Sequence, residues 1–128
     1  VSPGVVIANL DTDPESYDHQ VTLAHLDMLK QASDADGRPL QIHTVSPPLN
    51  PRRNRFSRDN PDYAAGYINY FVINGAVIAP QFGDKVADRK AFDLLSRLYP
   101  GRKVVQLDID AIAAGGGGIH CVTSHQPA

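Results

Sequence analysis

The stretch YINYFVINGAVIAPQFGD, residues 67–84, decides the fold. It holds two runs rich in aromatic and β-branched residues, 67–73 and 76–79, which are separated by Asn74 and Gly75. Asn-Gly between two such runs is a strong short-range hairpin signal, because both residues tolerate a positive φ. We therefore predict an antiparallel pair of strands over these two runs.

A helix and a third strand follow this hairpin. Pro80 is expected to end the second strand, and Asp84 to cap a helix that Gly101 stops. Residues 103–107 then have the composition of a strand. The apolar residues of the helix fall on one stripe: Ala87, Ala91, Leu94, Leu95 and Leu98. The order strand-strand-helix-strand predicts a ββαβ unit.

The amino-terminal part follows the same plan without a leading strand. Residues 5–8 form an apolar run, after which Asp11 and Pro14 favour a helix start. Gly37 is expected to end this helix, and residues 40–45 form the next strand. The apolar residues at helical spacing are Val21, Ala24, Met28, Leu29 and Ala32. A βαβ unit is predicted here.

The two units repeat at a spacing of about 65–70 residues, which is typical of arrays of like units. We predict an α/β fold with a partial βαβ module at 1–45, a connecting loop at 46–66, and a ββαβ module at 67–128. The last module carries a glycine-rich loop and a cysteine at its end. The loop at 46–66 contains four prolines, and its length is typical of a functional cover or of a disordered connector.

Composition excludes several classes of function. The chain has 128 residues, of which 42% are hydrophobic, and its net charge of −2 gives no case for binding nucleic acid. Its one basic cluster is interpreted as part of a solvated loop: Arg52, Arg53, Arg55 and Arg58. No long apolar run and no secretion leader are visible, so we expect no membrane segment. A single cysteine, Cys121, excludes an internal disulfide and favours a reduced, cytoplasmic setting.

The glycine run 115–118 and Cys121 carry the chemistry. Four glycines allow the backbone to approach something that a side chain would obstruct. A phosphate loop is a weak alternative, because neither a Lys-Ser/Thr pair nor an amphipathic helix follows. A flexible linker is also weak, because a strand-like run 119–122 resumes at once. A lone cysteine is more often a small buried apolar residue than a nucleophile, so both interpretations stay open at this point.

Two histidines lie near Cys121 in sequence. His120 is its neighbour, and adjacent residues on a strand point to opposite faces, so we interpret His120 as structural. His125 is a second candidate base. A base must lie within about 3 Å of the proton that it takes.

The segment GGGGIHCVT at 115–123, followed by Gln126-Pro127, resembles the terminal cysteine motif of agmatine deiminases and of Porphyromonas-type peptidylarginine deiminases. Residues 67–84 are similar to the preceding unit of the same family. The resemblance implies a pentein-type α/β propeller of five ββαβ modules, of which this chain would hold roughly two, at the C-terminal end.

The resemblance also implies an activity. The family hydrolyses a guanidinium group to a ureido group, as in agmatine to N-carbamoylputrescine plus ammonia, through a cysteine amidino-thioether and without a metal or organic cofactor. By position, Cys121 would be the nucleophile, Asn69 would lie near the substrate, and Gly117 and Gly118 would line its pocket. The partner would be a small guanidinium compound.

One departure limits what this chain can do alone. The family's catalytic histidine lies in a Gly-His-Val-Asp motif, and its guanidinium-binding acids lie in other modules. This sequence contains neither, and Val1-Ser2-Pro3-Gly4 resembles the stretch that follows that motif. We therefore expect the isolated chain to be inactive. The alternatives are a peptidylarginine deiminase and a non-catalytic, self-associating half-propeller.

Overall fold

The structure, a computed structural model, describes residues 1–126 and is mixed α/β, as predicted. The chain divides into two compact units, Val1–Pro47 and the residues from Pro48 onward. In the described part, every helix is too short or too polar to cross a membrane. The further arrangement of such units into a propeller remains a prediction.

The first unit has the predicted βαβ order. It consists of β1 (Val5–Asn9), α1 (Asp18–Gln31) and β2 (Gln41–Val45). The two strands are parallel, and their register places Val5 opposite Gln41 and Asn9 opposite Val45. A helical crossover between parallel strands explains this order, because such strands cannot be joined by a tight hairpin.

The ends of α1 differ from the prediction. The N-cap residue, Tyr17, makes no capping hydrogen bond with its side chain. Asp11 does not begin the helix, and its backbone N–H donates to Thr22 Oγ1 at 3.0 Å. The helix ends before Ala32, whose backbone is extended. Gly37, with φ of 76°, instead closes a later turn in which its N–H donates to the Asp34 carbonyl.

The apolar stripe of α1 is not the core that its spacing predicted. Met28 is 68% exposed and Val21 is 43% exposed, whereas the buried residue of the helix is Thr22. An apolar stripe is buried only where another element covers it. The described part of the first unit offers a two-stranded sheet, which is too narrow to cover the whole stripe.

The second unit has the predicted ββαβ order and then continues. Its sheet has the order β3-β4-β5, and Gly75, with φ of 79°, closes the β3–β4 hairpin. The β4 and β5 strands are parallel. The elements are β3 (Phe71–Ile73), β4 (Ala76–Gln81), α2 (Lys85–Leu98), β5 (Lys103–Asp108), α3 (Asp110–Ala113) and a 3₁₀ turn at His120–Val122.

Two strand boundaries were predicted wrongly. The first strand of the hairpin begins at Phe71 and not at Tyr67. Tyr67 lies before the strand, where its ring is buried in the core and its hydroxyl donates to Asp88. Pro80 lies inside β4 instead of ending it. The pairing with β3 stops at Ile78, so Pro80 is paired on one side only, where a missing N–H is tolerated.

The helix α2 packs as predicted. Ala91, Leu94 and Leu95 are buried, as are Val77 and Ala79 of β4. The cap predicted at position 84 is present, since the Asp84 carboxylate accepts from two backbone N–H groups in the first turn. The capped helix α2 and the three-stranded sheet together form the scaffold that carries Cys121.

Candidate active site around Cys121

The cysteine lies at the end of a glycine-rich turn. Gly116 adopts φ of 79° and donates its N–H to the Ala113 carbonyl, which ends α3. The prediction that residues 119–122 resume a strand is wrong. His120–Val122 form the 3₁₀ turn instead, and the Cys121 N–H donates to the Gly118 carbonyl. The strand argument about His120 therefore does not apply.

Asn69 holds this turn by its side chain. Its Oδ1 accepts from the backbone N–H of His120 at 2.9 Å and of Cys121 at 3.3 Å. Its Nδ2 donates to Cys121 Sγ at 3.0 Å. The two backbone donors fix the orientation of the amide, because they must face its oxygen. The amide therefore presents N–H to the sulfur. Asn69 itself lies two residues before β3.

The glycines at 117 and 118 leave space for this arrangement. A Cβ on Gly118 would lie 2.6 Å from both Cβ and Cγ of Asn69, which is closer than real Cβ atoms approach. A Cβ on Gly117 would lie 3.4 Å from the Cβ of Cys121 and 3.6 Å from its sulfur. Gly118 thus permits the Asn69 contact, and Gly117 leaves the side of the sulfur open.

The electrostatics favour a reactive thiol. Cys121 is an exposed free cysteine. Donation from the Asn69 amide, and then the backbone at Gly118, lower the pKa of Cys121 from its ordinary value. A thiolate is the nucleophilic form of cysteine, and hydrogen bonds to the charged form stabilise it.

Both nearby histidines contact Phe71. The His120 ring meets Phe71 edge-on at 6.2 Å between centroids, and the His125 ring lies over it at 4.5 Å. Among residues 1–126 the side chain that donates to the sulfur is Asn69, and no imidazole donates to it or accepts from it. These contacts give neither histidine the position of a base in this chain.

The sequence did not reveal a polar cluster around Asp110, which is 2% exposed. Its carboxylate accepts from Arg52 Nε at 2.6 Å and Nη2 at 3.1 Å, and from the Tyr63 hydroxyl at 2.6 Å. The Asn54 amide donates to it at 2.5 Å. Burial raises the pKa of Asp110, but Arg52, Tyr63 and Asn54 together outweigh burial, so its pKa is lowered.

The same cluster corrects the interpretation of the basic residues. Arg52 is half-buried and is not a free surface cation, because it pairs with Asp110 and also with Asp108 at 3.2 Å. Arg53, Arg55 and Arg58 are exposed, as predicted. No local sequence signal indicates this partner, because Asp110 lies 58 positions from Arg52. In the described range, no three His, Cys, Asp or Glu residues form a group that could hold a metal ion.

The model of the Porphyromonas-type peptidyl-arginine deiminase family matches residues 1–127. The chain belongs to this family. The family match extends over both units and includes Asn69, the glycine run and Cys121.

Individual relatives of this deiminase-family chain carry related names. A candidate agmatine deiminase of Streptomyces coelicolor is 39% identical over 127 residues, which cover 98% of this chain and 35% of that protein. One of Streptococcus mutans is 35% identical over 140 residues, which cover 100% of this chain and 38% of that protein. The solved agmatine deiminase of Enterococcus faecalis is 28% identical with a TM-score of 0.84, covering 97% of this chain and 37% of that one. This chain therefore spans about a third of the length of these relatives.

Proposed function

We propose that this chain supplies the nucleophile of a guanidine-modifying hydrolase, with agmatine as the substrate. The observation that carries the proposal is the exposed Cys121 thiol, which receives an N–H from Asn69 at 3.0 Å beside a glycine backbone. Membership of the deiminase family and the names of the relatives support it.

The proposed chemistry is the one that the resemblance to the deiminases implies. The Cys121 thiolate attacks the guanidinium carbon, and one nitrogen leaves as ammonia after gaining a proton. Water then adds to the amidino-thioether carbon, the carbon–sulfur bond breaks, and a ureido product leaves while the thiolate is restored. Asn69, Gly117 and Gly118 are proposed to line the pocket, where a flat cation beside the sulfur would stabilise the thiolate further. No metal or organic cofactor takes part in these steps.

The proposal assigns the remaining groups to other parts of a longer protein. A proton donor for ammonia and a carboxylate clamp for the guanidinium fork are needed. Within the part of the chain that the structure describes, neither His120 nor His125 forms a hydrogen bond with the sulfur, and both rings contact Phe71. We therefore expect no turnover of agmatine by the isolated 128-residue chain, measured as ureido product.

A replacement experiment tests the function itself. This chain would replace the matching third of the Enterococcus faecalis agmatine deiminase, and the chimera would be checked for folding by circular dichroism. We expect agmatine turnover by the folded chimera and its loss in Cys121→Ser. A folded chimera that hydrolyses no guanidinium substrate would contradict the proposal.

Peptidylarginine is the second candidate substrate, because the family description names that activity. Competition between agmatine and a peptide ending in arginine, measured on the same chimera, separates the two. Faster consumption of the peptide would favour the second candidate.

Two further parts of the proposal concern the setting of the chain. A thiol that must remain reduced functions best in a reducing compartment, so we propose a cytoplasmic location. We also propose self-association, because Met28 and Val21 of α1 are exposed and the two-stranded sheet leaves strand edges free. Sizing chromatography at micromolar concentration tests this, and a well-behaved monomer would count against it.

A further inference from the structure

Residues 48–66, which we call the strap, are fastened to the end of β4 and to α3. The backbone N–H of Arg52 donates to the Phe82 carbonyl, just after β4, at 2.7 Å. The Ala64 N–H and the Asn60 amide donate to carbonyls at the end of α3, at 3.0 Å and 3.1 Å. The strap is thus an ordered part of the second unit, in contrast to a disordered connector.

Asp110 is the point where the strap and α3 are joined most firmly. Four donor groups from three strap residues occupy its two oxygens: the Nε and Nη2 of Arg52, the Asn54 amide and the Tyr63 hydroxyl. A carboxylate has about four acceptor positions, so the Asp110 carboxylate is fully satisfied. Removing one partner of a buried charge pair is costly, because it leaves the other charge without compensation.

The glycine run begins directly after α3. Gly116 lies near the strap, since a Cβ on it would be 3.6 Å from the Asp62 carbonyl. At the other end of the run, Gly118 lies against Asn69. A stretch without side chains has little packing of its own, so its path is set by what holds its two ends. These are the strap with α3 on one side and Asn69 on the other.

We propose that the strap positions the Cys121 thiol. Asp110 is the positioning residue, because it joins the strap to α3. Through the glycine run that follows α3, it acts on the contact between Asn69 and the sulfur. The inference rests on the proposed role of Cys121 as nucleophile. Asp110 does not touch the sulfur and acts only through the loop.

The test measures thiol reactivity as well as stability. Alkylation of Cys121 by iodoacetamide is followed by mass spectrometry from pH 6 to pH 10, together with thermal unfolding. Asp110→Asn keeps the side-chain shape and removes the charge, and Tyr63→Phe removes one of the four hydrogen bonds while keeping the ring that packs on Phe82. Asp93→Asn is the matched control, because Asp93 forms an exposed ion pair within α2.

We expect Asp110→Asn to slow alkylation at pH 7 about threefold, as a rise of half a unit in the thiol pKa would produce. Tyr63→Phe should have a smaller effect in the same direction, and it also carries the test if Asp110→Asn fails to fold. Asp93→Asn should leave the rate unchanged. In an Asn69→Ala background the strap variants should change the rate no further, because the contact through which they act is absent.

The possible results separate this inference from the proposed function. A wild-type thiol no more reactive than free cysteine would overturn both. A reactive wild-type thiol that keeps its rate in both strap variants, while their melting temperatures fall, would overturn the role of the strap alone. Equal effects of Asp110→Asn with and without Asn69 would also overturn it, since the coupling would then not pass through Asn69.

Discussion

The helices α1 and α2 each contain 14 residues and each link two parallel strands, yet they are buried very differently. In α2 the apolar stripe lies in the core, and Asp84 caps the first turn. In α1 the buried residue is Thr22, the N-cap residue Tyr17 makes no capping bond with its side chain, and Met28 is largely exposed. The same sequence pattern thus gives a completed module in one unit and an uncovered helix in the other, because burial depends on what is available to cover the stripe.

The largest expected effect is a difference in the free energy of unfolding between two truncations, one in the apolar stripe of α2 and one in that of α1. Leu95→Ala should lower the free energy of unfolding by about 3 kcal/mol, since it removes a side chain that is 3% exposed. Met28→Ala should change it by less than about 0.5 kcal/mol. Chemical denaturation of both variants measures this difference. Similar costs would mean that the α1 stripe is covered in solution, as self-association would produce.

A smaller difference in stability is expected between substitutions of the N-cap residues of α2 and α1. Asp84→Ala should cost at least about 1 kcal/mol, because it leaves the Val86 and Ala87 N–H groups of the helix without their acceptor. It also removes the acceptor of the Leu49 and Asn50 N–H groups. Tyr17→Ala should have almost no effect through capping, because Tyr17 makes no capping bond. Thermal unfolding of the two variants tests the pair. A cost at Tyr17 equal to that at Asp84 would show that α1 starts elsewhere in solution.

How far the sequence could predict the fold depends on the range of the interactions involved. The hairpin and α2 were predicted because Asn74, Gly75 and Asp84 act on their immediate neighbours. The Arg52–Asp110 pair was missed because its members lie 58 positions apart. Residues 119–122 have strand-like composition, but the side-chain oxygen of a distant residue, Asn69, accepts from the backbone N–H groups of His120 and Cys121 and so favours the 3₁₀ turn.

The candidate site was predictable to a similar extent. The resemblance indicated Cys121, Asn69 and the two glycines, and their contacts are consistent with the proposed roles, which stay untested. No local signal indicated that Asn69 presents its N–H to the sulfur, or that Gly118 is needed for this approach. The basic cluster was interpreted as part of a solvated loop, and the loop at 46–66 as either a functional cover or a disordered connector. Charge and proline content describe a loop without showing its partners.

Acid should destabilise the second unit through its carboxylates. The Ala87 and Asn50 N–H groups are the main reasons that the pKa of Asp84 is lowered, and the pKa of Asp110 is lowered despite burial. A carboxylate with a lowered folded-state pKa contributes stability above its ordinary value of 3.8, and this is lost as pH falls through the folded-state pKa. Denaturation between pH 6 and pH 2 should show the loss beginning near pH 4. Asp110→Asn should flatten this dependence, and an unchanged slope would contradict it.

The smallest expected effect is the most local one. Gly118→Ala should slow alkylation of Cys121 at pH 7 about threefold, because the new Cβ displaces Asn69 from the sulfur and the thiol pKa rises. Gly115→Ala is the matched control, since its Cβ would meet only the Ile112 carbonyl at 3.6 Å. Equal rates in the two variants would show that close packing on Asn69 does not tune the thiol.

The most direct test of the central claim is the apparent pKa of the Cys121 thiol, measured by alkylation as a function of pH in the wild type and in Asn69→Ala. The account predicts a wild-type value below the value of about 8.5 for free cysteine, and a return toward that value without Asn69. A wild-type value at or above that of free cysteine, or one that Asn69→Ala leaves unchanged, would contradict the claim that this site holds an activated nucleophile.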